Sequence, residues 1–286
     1  MNSDIKELQK VQLELLDELM RICKAHDINY YLACGSCLGA VRHQGFIPWD
    51  DDIDVFMYAK DAEALFQYKD EFSDDFFLQN AETDPGFNMS IARLRKRGTA
   101  LVEPGELDVP CHHGIYMDIY PLYYYPESFL GRAKMIFQGV CRNILLGNRP
   151  PLNHGAIVKL VGKLILLPYK NEGVRNRKIL KLSKRIRSVQ DTDRLVTIFG
   201  MDISLRGITS YKTEWFGFPK YLKFEGRSVP VATNYDAYLR TRYGDDYMQL
   251  PPEEKQHSYH NYVYLSFTKE LDDEIVPEIQ GIRSQQ

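Results

Sequence analysis

The sequence has few cysteines, no long apolar run and little net charge. Five cysteines in 286 residues are an odd number, and no basic-then-apolar leader opens the chain, so a disulfide framework is not expected. The longest apolar stretch, residues 156–169, is cut by Lys159 and Lys163 and falls short of the roughly 20 apolar residues that span a membrane. A formal net charge of −3 gives no general attraction to nucleic acid. We expect a cytoplasmic protein without a nucleic-acid partner.

The chain does contain enough apolar material for a sizeable core. Hydrophobic residues make up 44% of it. Apolar residues recur at three- and four-residue steps over residues 4–25, which predicts an amphipathic helix. Apolar runs at 28–35, 53–57 and 114–125 predict buried strands, and residues 61–72 predict a helix. Strands that alternate with helices indicate an α/β or α+β fold.

The most unusual stretch, residues 35–57, places four aspartates directly before a buried strand. Side chains two positions apart on a strand point to the same face, so we expect Asp52 and Asp54 to project together while Ile53 faces the core. Two carboxylates so close share a proton or hold a cation between them. A hard divalent ion such as Mg²⁺ takes oxygen ligands of this kind. The stretch is therefore a metal site at a strand end or a solvated acidic turn.

Two further residues give this stretch a context. Asp118 interrupts the apolar run at 114–125. A buried carboxylate without a partner is costly, so a metal or hydrogen bonds are expected to meet it. Ser36, about fifteen residues before the aspartates, is expected to cap a short helix that runs to Val41.

These residues carry a resemblance to a known family. A Gly-Ser pair, a short helix, the pattern Asp-Ile-Asp-Val and a later strand aspartate resemble the nucleotidyltransferase superfamily. More narrowly, residues 35–54 resemble the signature of the LicD family, which is similar to phosphocholine transferases that decorate bacterial surface glycans. Eukaryotic fukutin-related ribitol-phosphate transferases are distant relatives. Residues 91–122 and 243–260 also match, whereas residues 131–200 match nothing known to us.

The resemblance implies a fold and a division of the chain. It implies a nucleotidyltransferase-like mixed sheet with flanking helices and a basic, mainly helical insert. Residues 1–130 would form the catalytic core, residues 131–200 the insert, and residues 201–286 would complete the core and the acceptor site.

The resemblance also implies an activity. This activity is the transfer of phosphocholine, or a similar phospho-alcohol, from a CDP-activated donor to a hydroxyl of a cell-surface glycan precursor, as in lipopolysaccharide or teichoic acid. The cofactor would be Mg²⁺ or Mn²⁺, the donor a CDP-alcohol with CDP-choline favoured, and the acceptor lipid-linked or an oligosaccharide. The rivals are a nucleotidyltransferase that moves a nucleoside monophosphate to a sugar or small molecule, and a non-catalytic glycan- or nucleotide-binding protein.

The same resemblance suggests roles for individual residues. Metal-binding and catalytic roles fall on Asp52, Asp54 and Asp118. Asp118 would complete the metal site or serve as the base toward the acceptor hydroxyl. Phosphate or nucleotide contacts fall on Gly35, Ser36, Arg42, His43, Arg95 and Lys96. Asp50 and Asp51 would orient the metal ligands without binding the metal themselves. The acceptor side falls on His257 and His260.

Several of these residues have a plainer interpretation. Arg93, Arg95 and Arg97 alternate along a predicted strand, and a solvated edge strand with basic side chains fits them almost as well as phosphate binding. His43 equally fits a hydrogen-bonded structural residue. The two histidines of the C-terminal motif equally fit an exposed loop.

Residues 131–187 differ sharply from the rest. They contain 14 Lys or Arg and a single acidic residue, Glu172, so their formal charge is +13 while the remainder of the chain carries −16. Basic segments with apolar clusters bind anionic membrane surfaces. The segment is therefore a solvated helical subdomain or a surface that docks at the inner leaflet of the plasma membrane. Few aromatic residues are present for stacking on RNA bases.

Overall fold

The computed structural model describes residues 3–107, 109–150, 155–197, 203–204, 207–258 and 260–272. The α-helices in these residues are α1 (Ser3–Ala25), α2 (Cys34–Arg42), α3 (Ala59–Gln67), α4 (Phe129–Gly147), α5 (Gly155–Leu166), α6 (Glu172–Arg187) and α7 (Tyr235–Tyr243). The strands are β1 (Tyr31–Leu32), β2 (Asp54–Tyr58), β3 (Phe76–Gln79), β4 (Ala92–Lys96), β5 (Ala100–Val102), β6 (Tyr116–Tyr124), β7 (Arg194–Val196), β8 (Ile203–Ser204), β9 (Gly207–Ile208), β10 (Tyr211–Lys212), β11 (Lys220–Phe224), β12 (Arg227–Val231) and β13 (Tyr264–Ser266).

A mixed sheet with strand order β1-β2-β6-β4-β3 lies at the centre of the fold. Strands β2 and β6 run parallel, and the other neighbours in this row run antiparallel. Strand β7 pairs with the C-terminal end of β6 and with β10. The mixed sheet with flanking helices confirms the expected fold class. The three-part division of the chain stays a prediction; β7, which joins this sheet, falls within the range 131–200.

Helix α1 covers the sheet with the apolar face that its sequence predicted. Its fully buried residues are Leu8, Leu15, Leu16, Leu19 and Ile22. Each such side chain contributes about 1.5–3 kcal/mol when it leaves water. Gln12 is buried on the same helix and donates its Nε2 to the Tyr116 carbonyl of β6 at 2.7 Å. The helix is thus held to the sheet by apolar burial and by a buried hydrogen bond.

Ser36 does not cap α2, so that prediction is wrong. The helix begins at Cys34 with Ala33 as its N-cap residue, and Ser36 lies inside the first turn. The Ser36 Oγ instead accepts the backbone N–H of Asp54 at 2.9 Å. The Ala33 N–H also donates to the Asp54 carbonyl at 2.9 Å. These two bonds tie the start of α2 to the start of β2, where the aspartates lie.

Strand β4 is interior, so the edge-strand interpretation of its arginines is wrong. It lies between β6 and β3 and pairs with both. Arg93 is 2% exposed and Arg95 is fully buried, whereas Arg97 is exposed and places its guanidinium over the Phe77 ring. Sequence alternation correctly predicted that Arg93 and Arg95 share a face, and their guanidinium groups meet Glu106 and the Gly114 carbonyl there.

The basic segment is mainly helical, as predicted. Helix α4 packs against both α5 and α6. Side-chain caps start two of these helices: Ser128 accepts the N–H of Gly131, and Asn171 accepts the N–H of Val174. The buried contacts between the helices are made by Cys141, Leu145 and Leu182, with Ile165, Leu166, Tyr169 and Ile179 partly buried around them. Among the described residues, no helix is both long and apolar enough to cross a membrane.

The hairpin β11–β12 supports the loop that leads to the aspartates. Its two-residue turn, Glu225-Gly226, has φ of 48° and 78°, as a type I′ turn requires. The Glu225 carboxylate accepts the Phe46 N–H at 3.2 Å, and the Glu225 N–H donates to the Gln44 carbonyl at 3.0 Å. A Cβ on Gly45 would collide with this carboxylate, so the hairpin tip packs directly on the loop.

Candidate active site

Two aspartates face each other across the parallel strand pair at the centre of the sheet. Asp54 is the first residue of β2 and lies opposite Asp118 of β6 in the register. Both carboxylates are nearly buried, with exposures of 7% and 9%. Ile53 is fully buried in the core, as predicted. Asp52 precedes the strand rather than lying in it. The sheet thus brings the first acidic stretch and the later aspartate to one place.

The carboxylates of Asp52 and Asp54, at the start of β2, are difficult to ionise. Burial raises the pKa of Asp54 well above its ordinary value, and the charges of Asp52 and Asp118 raise it further. Burial also raises the pKa of Asp52 to about 6, although the nearby His260 opposes that shift. The Oδ1 of Asp54 is buried with no hydrogen-bond partner among the described residues. Protonation of a carboxyl or binding of a cation reduces the repulsion between carboxylates in such a cluster.

Asp118, in contrast, is fully supported by hydrogen bonds. Its Oδ1 accepts from Arg93 Nε at 2.8 Å, and its Oδ2 accepts from the Tyr120 hydroxyl at 2.9 Å. The expectation that Asp118 has partners is therefore confirmed. Each carboxylate oxygen has two lone-pair directions, so acceptor capacity remains for a metal or a hydroxyl. Its part in a metal site or in catalysis stays a prediction.

Arg93 links two carboxylates beneath the site. Besides Asp118, its Nη1 donates to Glu106 Oε1 at 3.0 Å, and its guanidinium lies 3.6 Å from the centre of the Tyr116 ring. Burial alone would lower the pKa of Arg93, but Asp118, Tyr116 and Glu106 raise it well above its usual value. Sequence analysis proposed Arg95 and not Arg93. The signal that would have found Arg93 is the antiparallel register that sets it opposite Asp118.

A group of ligand atoms suited to a metal lies beside the aspartate pair. Asp51, Asp52 and His260 each offer one ligand atom, and these atoms lie within 4.8 Å of one another; within the described ranges this is the one such group. His260 Nδ1 lies 2.8 Å from Asp51 Oδ1, and its Nε2 lies 3.6 Å from Asp52 Oδ2. The bond to Asp51 raises the pKa of His260 to about 10, against the opposing effect of burial. A protonated His260 therefore supplies positive charge where a metal ion would.

The C-terminal motif reaches this group through Ser258 as well. The Ser258 hydroxyl donates to Asp51 Oδ2 at 2.8 Å, so both oxygens of Asp51 are held by residues more than 200 positions away. His257 is exposed and its ring hydrogen-bonds the Ser258 carbonyl. The structure thus brings His260 to the aspartates and leaves His257 at the surface. Their predicted roles on the acceptor side remain predictions.

Gly35 and Ser36 lie in the first turn of α2, close to Asp50. A Cβ on Gly35 would lie 2.5 Å from Asp50 Oδ2, so only glycine admits that carboxylate. Burial raises the pKa of Asp50 well above its ordinary value, and the charges of Asp52 and Asp51 add to the shift. N–H groups in a first helical turn lack intrahelical partners and attract anions. The Asp50 carboxylate therefore lies at the place where phosphate contact is predicted.

Arg42 and His43 lie at the opposite end of α2 from Gly35. Arg42 Nη1 donates to the carbonyls of Tyr247 and Gln249 at 3.0 and 2.9 Å, which ties the C-terminal motif to the helix. His43 is the C-cap residue, and its Nδ1 is buried without a hydrogen-bond partner in the described part of the chain. The phosphate contacts predicted for both remain predictions, and the observed contacts of Arg42 are structural.

Arg95 and Lys96 point to opposite sides of β4. Arg95 donates to Gln79 Oε1 at 2.5 Å and to the Gly114 carbonyl at 2.7 Å, and burial lowers its pKa to about 10. Lys96 instead pairs with Glu14 of α1 at 3.0 Å. Arg95 thus shares a strand face with Arg93, and Lys96 faces the covering helix. Their predicted phosphate contacts also remain predictions.

Two glutamines of α1 hold the backbone of the aspartate loop. Gln9 Nε2 donates to the Asp50 carbonyl at 2.8 Å, and Gln12 Oε1 accepts the Ile53 N–H at 3.2 Å. Sequence analysis did not identify them. Their signal is a pair of amides three residues apart near the buried face of an amphipathic helix, where polar side chains need a buried partner.

Comparisons with known proteins identify the family of this chain. The family described as LicD/FKTN/FKRP, nucleotidyltransferase domain, matches residues 27–131. Lipopolysaccharide cholinephosphotransferase LicD of Haemophilus influenzae is 30% identical over 272 residues, which cover 90% of this chain and 96% of that protein. Human ribitol 5-phosphate transferase FKRP is 44% identical over 41 residues, 14% of this chain and 8% of that protein. The chain therefore belongs to the LicD family.

Proposed function

We propose that this protein transfers phosphocholine, or a similar phospho-alcohol, from a CDP-activated donor to a hydroxyl of a cell-surface glycan precursor. The observation that carries the proposal is the buried Asp54–Asp118 pair beside Asp50–Asp52, in a chain similar over nearly its whole length to a cholinephosphotransferase. The relatives named above transfer phosphocholine or ribitol 5-phosphate. The CDP donor, and CDP-choline in particular, are part of our proposal.

Asp52 and Asp54 are the residues we propose to hold Mg²⁺ or Mn²⁺, with Asp118 as the third ligand. The fit rests on the unpartnered Oδ1 of Asp54 and on the raised pKa values of Asp52 and Asp54, since both features favour a cation among oxygen donors. When bound, the ion would neutralise the charge of the donor diphosphate. Asp51 and His260 lie close enough to share in this group.

Asp118 has an alternative part in the reaction, as the base toward the acceptor hydroxyl. Arg93 and Tyr120 fix its two oxygens, so the carboxylate is already oriented before substrate binds. The acceptor hydroxyl would pass its proton to Asp118 as the oxygen attacks the phosphorus next to the alcohol, and the nucleoside monophosphate leaves. Asp50 and Asp51 would support the ligands from behind, through Gln9 and Ser258.

Fixed positive charge and backbone N–H groups complete the proposed donor site. The first turn of α2, at Gly35 and Ser36, would donate N–H groups to a phosphate oxygen. This contact requires the Asp50 carboxyl to be neutral or to turn aside, and its raised pKa favours the neutral form. The Nη2 of Arg95 is buried and has no hydrogen-bond partner among the described residues, and it would suit a phosphate oxygen.

The acceptor determines where such an enzyme works. A glycan precursor carried on a lipid lies at the inner leaflet of the plasma membrane, so we propose a cytoplasmic enzyme bound peripherally there. His260, beside Asp51 and Asp52, and the exposed His257 three residues earlier are proposed to face the acceptor.

The test is release of CMP from a panel of CDP-alcohols. Purified protein is incubated with Mg²⁺ and CDP-choline, CDP-ethanolamine, CDP-glycerol or CDP-ribitol, with and without glycan acceptors. We expect CMP from one donor, lost with EDTA and in Asp54→Asn. Asp70→Asn, which removes an exposed carboxylate outside the site, is the matched control and retains activity.

Other outcomes would redirect the assignment. If no CDP-alcohol yields CMP and a nucleoside triphosphate releases pyrophosphate, the activity is nucleotidyl transfer, which the same arrangement of aspartates could catalyse. Binding of glycan or nucleotide without any turnover in the presence of divalent metal would establish a binding protein.

A further inference from the structure

We propose that helix α5, together with the exposed apolar face of α4, docks on an anionic lipid bilayer. The inference deepens the proposed function, on which its purpose rests, because it names the surface that would bring the enzyme to a lipid-linked acceptor. The surface lies on the helices of the basic segment and includes none of the aspartates.

Helix α5 exposes a continuous apolar stripe. Leu160, Leu164 and Leu167 are 59%, 60% and 61% exposed, and Leu167 lies in the single turn of 3₁₀-helix that continues α5. Residues at steps of four and three lie on one side of a helix, so these leucines form one stripe. Ile165 and Leu166 point the other way and pack against α4 and α6. The helix is therefore anchored on one side and apolar toward solvent on the other.

Lysines border this stripe. Lys159 and Lys163 are exposed, and each precedes a stripe leucine by one position, which places them along its edge. The whole segment from 131 to 187 carries 14 basic residues and the single acid Glu172. Leucines flanked by lysines are the pattern of helices that lie in the interface of an anionic membrane.

Helix α4 adds a second apolar face. Phe129, Leu130 and Phe137 are 83%, 78% and 64% exposed, and spacings of seven and eight residues return to nearly the same side of a helix. Of the 16 large apolar side chains that are exposed in the described part of the chain, 11 lie between residues 129 and 180. A concentration of this kind marks a surface that meets an apolar partner.

The length and charge of the segment select the partner. Helix α5 has 12 residues and is about 18 Å long, whereas the hydrocarbon core is about 30 Å thick, so the helix lies along the surface rather than across it. A second copy of the chain that met this segment with its own, in a two-fold contact, would bring another strongly basic face and repel it. An anionic headgroup layer over an apolar interior satisfies both the lysines and the leucines.

Flotation with lipid vesicles tests the proposal. We expect the full-length protein to bind vesicles of phosphatidylcholine with phosphatidylglycerol at low salt, and to bind pure phosphatidylcholine at least tenfold more weakly. Changing Leu160, Leu164 and Leu167 together to serine should weaken binding by roughly tenfold or more. Lys159→Glu with Lys163→Glu should weaken it at least as much, since each lysine near the surface contributes about fivefold.

Matched controls distinguish binding by this surface from nonspecific binding and from effects on catalysis. Phe218→Ser removes a side chain that is 94% exposed outside the segment, and Lys223→Glu reverses an exposed charge there; both should bind like wild type. Asp54→Asn should also bind like wild type, so failure of the transferase assignment leaves this measurement intact.

Two results would overturn the proposal. One is that the wild-type protein stays with the lipid-free fraction at low salt. The other combines three observations. Light scattering finds a dimer for wild type and a monomer for the leucine triple variant, circular dichroism shows that the variant is folded, and neither protein binds vesicles. The apolar face would then be an interface between copies of this chain.

Discussion

The aspartate site and the basic helical segment depart from the usual division of polar surface and apolar interior in opposite directions. At the site, charged groups are buried: Arg93 is 2% exposed and Asp54 is 7% exposed. In the segment, large apolar groups face water: Leu164 is 60% exposed and Phe129 is 83% exposed. Each arrangement is unfavourable in the isolated protein, because buried charges lose hydration and exposed apolar surface orders water. Each would be relieved by the ligand or surface that we propose to bind there.

The two departures also differ in how the protein compensates for them. The site distributes its charges over internal partners, so Arg93 meets two carboxylates and Asp51 meets two C-terminal residues. The apolar stripe of α5 has no such internal compensation among the described residues, since its leucines are exposed. Changes at the site should therefore alter activity and stability together, whereas changes on the stripe should alter binding alone.

The largest expected effect is at Asp54. We expect Asp54→Asn to reduce transfer by at least about 100-fold, because the variant loses a proposed metal ligand. The same change should raise the free energy of unfolding at pH 7, since burial and neighbouring charges make the native carboxylate unfavourable. CMP release and urea unfolding measure the two effects. A variant that is both inactive and less stable would contradict this interpretation of the site.

The next largest effect is expected from removing the positive charge of Arg93, which should lower stability. Arg93→Gln should lower the free energy of unfolding by about 3–5 kcal/mol, because the buried Asp118 and the partly buried Glu106 would lose their cation. Arg97→Gln, at an exposed position in the turn just after β4, should change stability by no more than about 0.5 kcal/mol. Equal effects in the two variants, measured by urea unfolding, would show that burial of Arg93 has no energetic consequence.

A smaller effect is expected from pH. The native pKa of Asp52, about 6, lies above the unfolded value of 3.8, so the native state holds the proton longer. Without divalent metal, stability should therefore fall by on the order of 1–2 kcal/mol as pH rises from about 4 through 6. His260 acts in the same direction: its pKa of about 10 gives stability that is complete below 6.5 and lost toward pH 10.

Divalent metal should reverse this trend. Thermal melting with EDTA and with Mg²⁺ across the same pH range provides the measurement. A metal-induced rise in Tm that grows with pH is expected, because metal competes with protons for the carboxylates. A rise of equal size in Asp54→Asn would place the metal elsewhere.

The smallest expected effect is at the surface of the basic segment. Leu180→Ala, at a site 54% exposed on α6, should change the free energy of unfolding by less than about 0.5 kcal/mol. Leu182→Ala, two residues further along the same helix and 4% exposed, is the matched control and should cost about 2–4 kcal/mol. If both variants lose stability equally, the outer face of the segment is covered in solution.

The sequence allowed prediction of the elements whose signal is local. The helix over 4–25 follows from apolar spacing, and the buried strand around Asp118 follows from an apolar run. The cap predicted for Ser36 failed because its hydroxyl bonds the backbone of Asp54, which is 18 residues away. The edge strand predicted for Arg93 and Arg95 failed because strand position depends on partners distant in sequence.

The candidate site was predictable to the same extent. The aspartates are nearly consecutive in the sequence, and the family resemblance pointed to His260. Sheet register sets the bonds of Asp118 to Arg93 and Tyr120. Helix packing sets the bond of Gln9 to the aspartate loop. No short-range pattern specifies these distances, so the network became visible only with the fold.

The reach of the C-terminal motif to Asp51 has a consequence for how the protein is made. Ser258 and His260 lie 207 and 209 positions after Asp51. During synthesis, the acidic loop therefore emerges from the ribosome long before the residues that neutralise it. The five strands of the row β1-β2-β6-β4-β3 all lie within residues 31–124, but the partners of the Asp51 carboxylate are absent until residue 260 is released. The order of the acidic loop therefore depends on residues that are synthesised long after it.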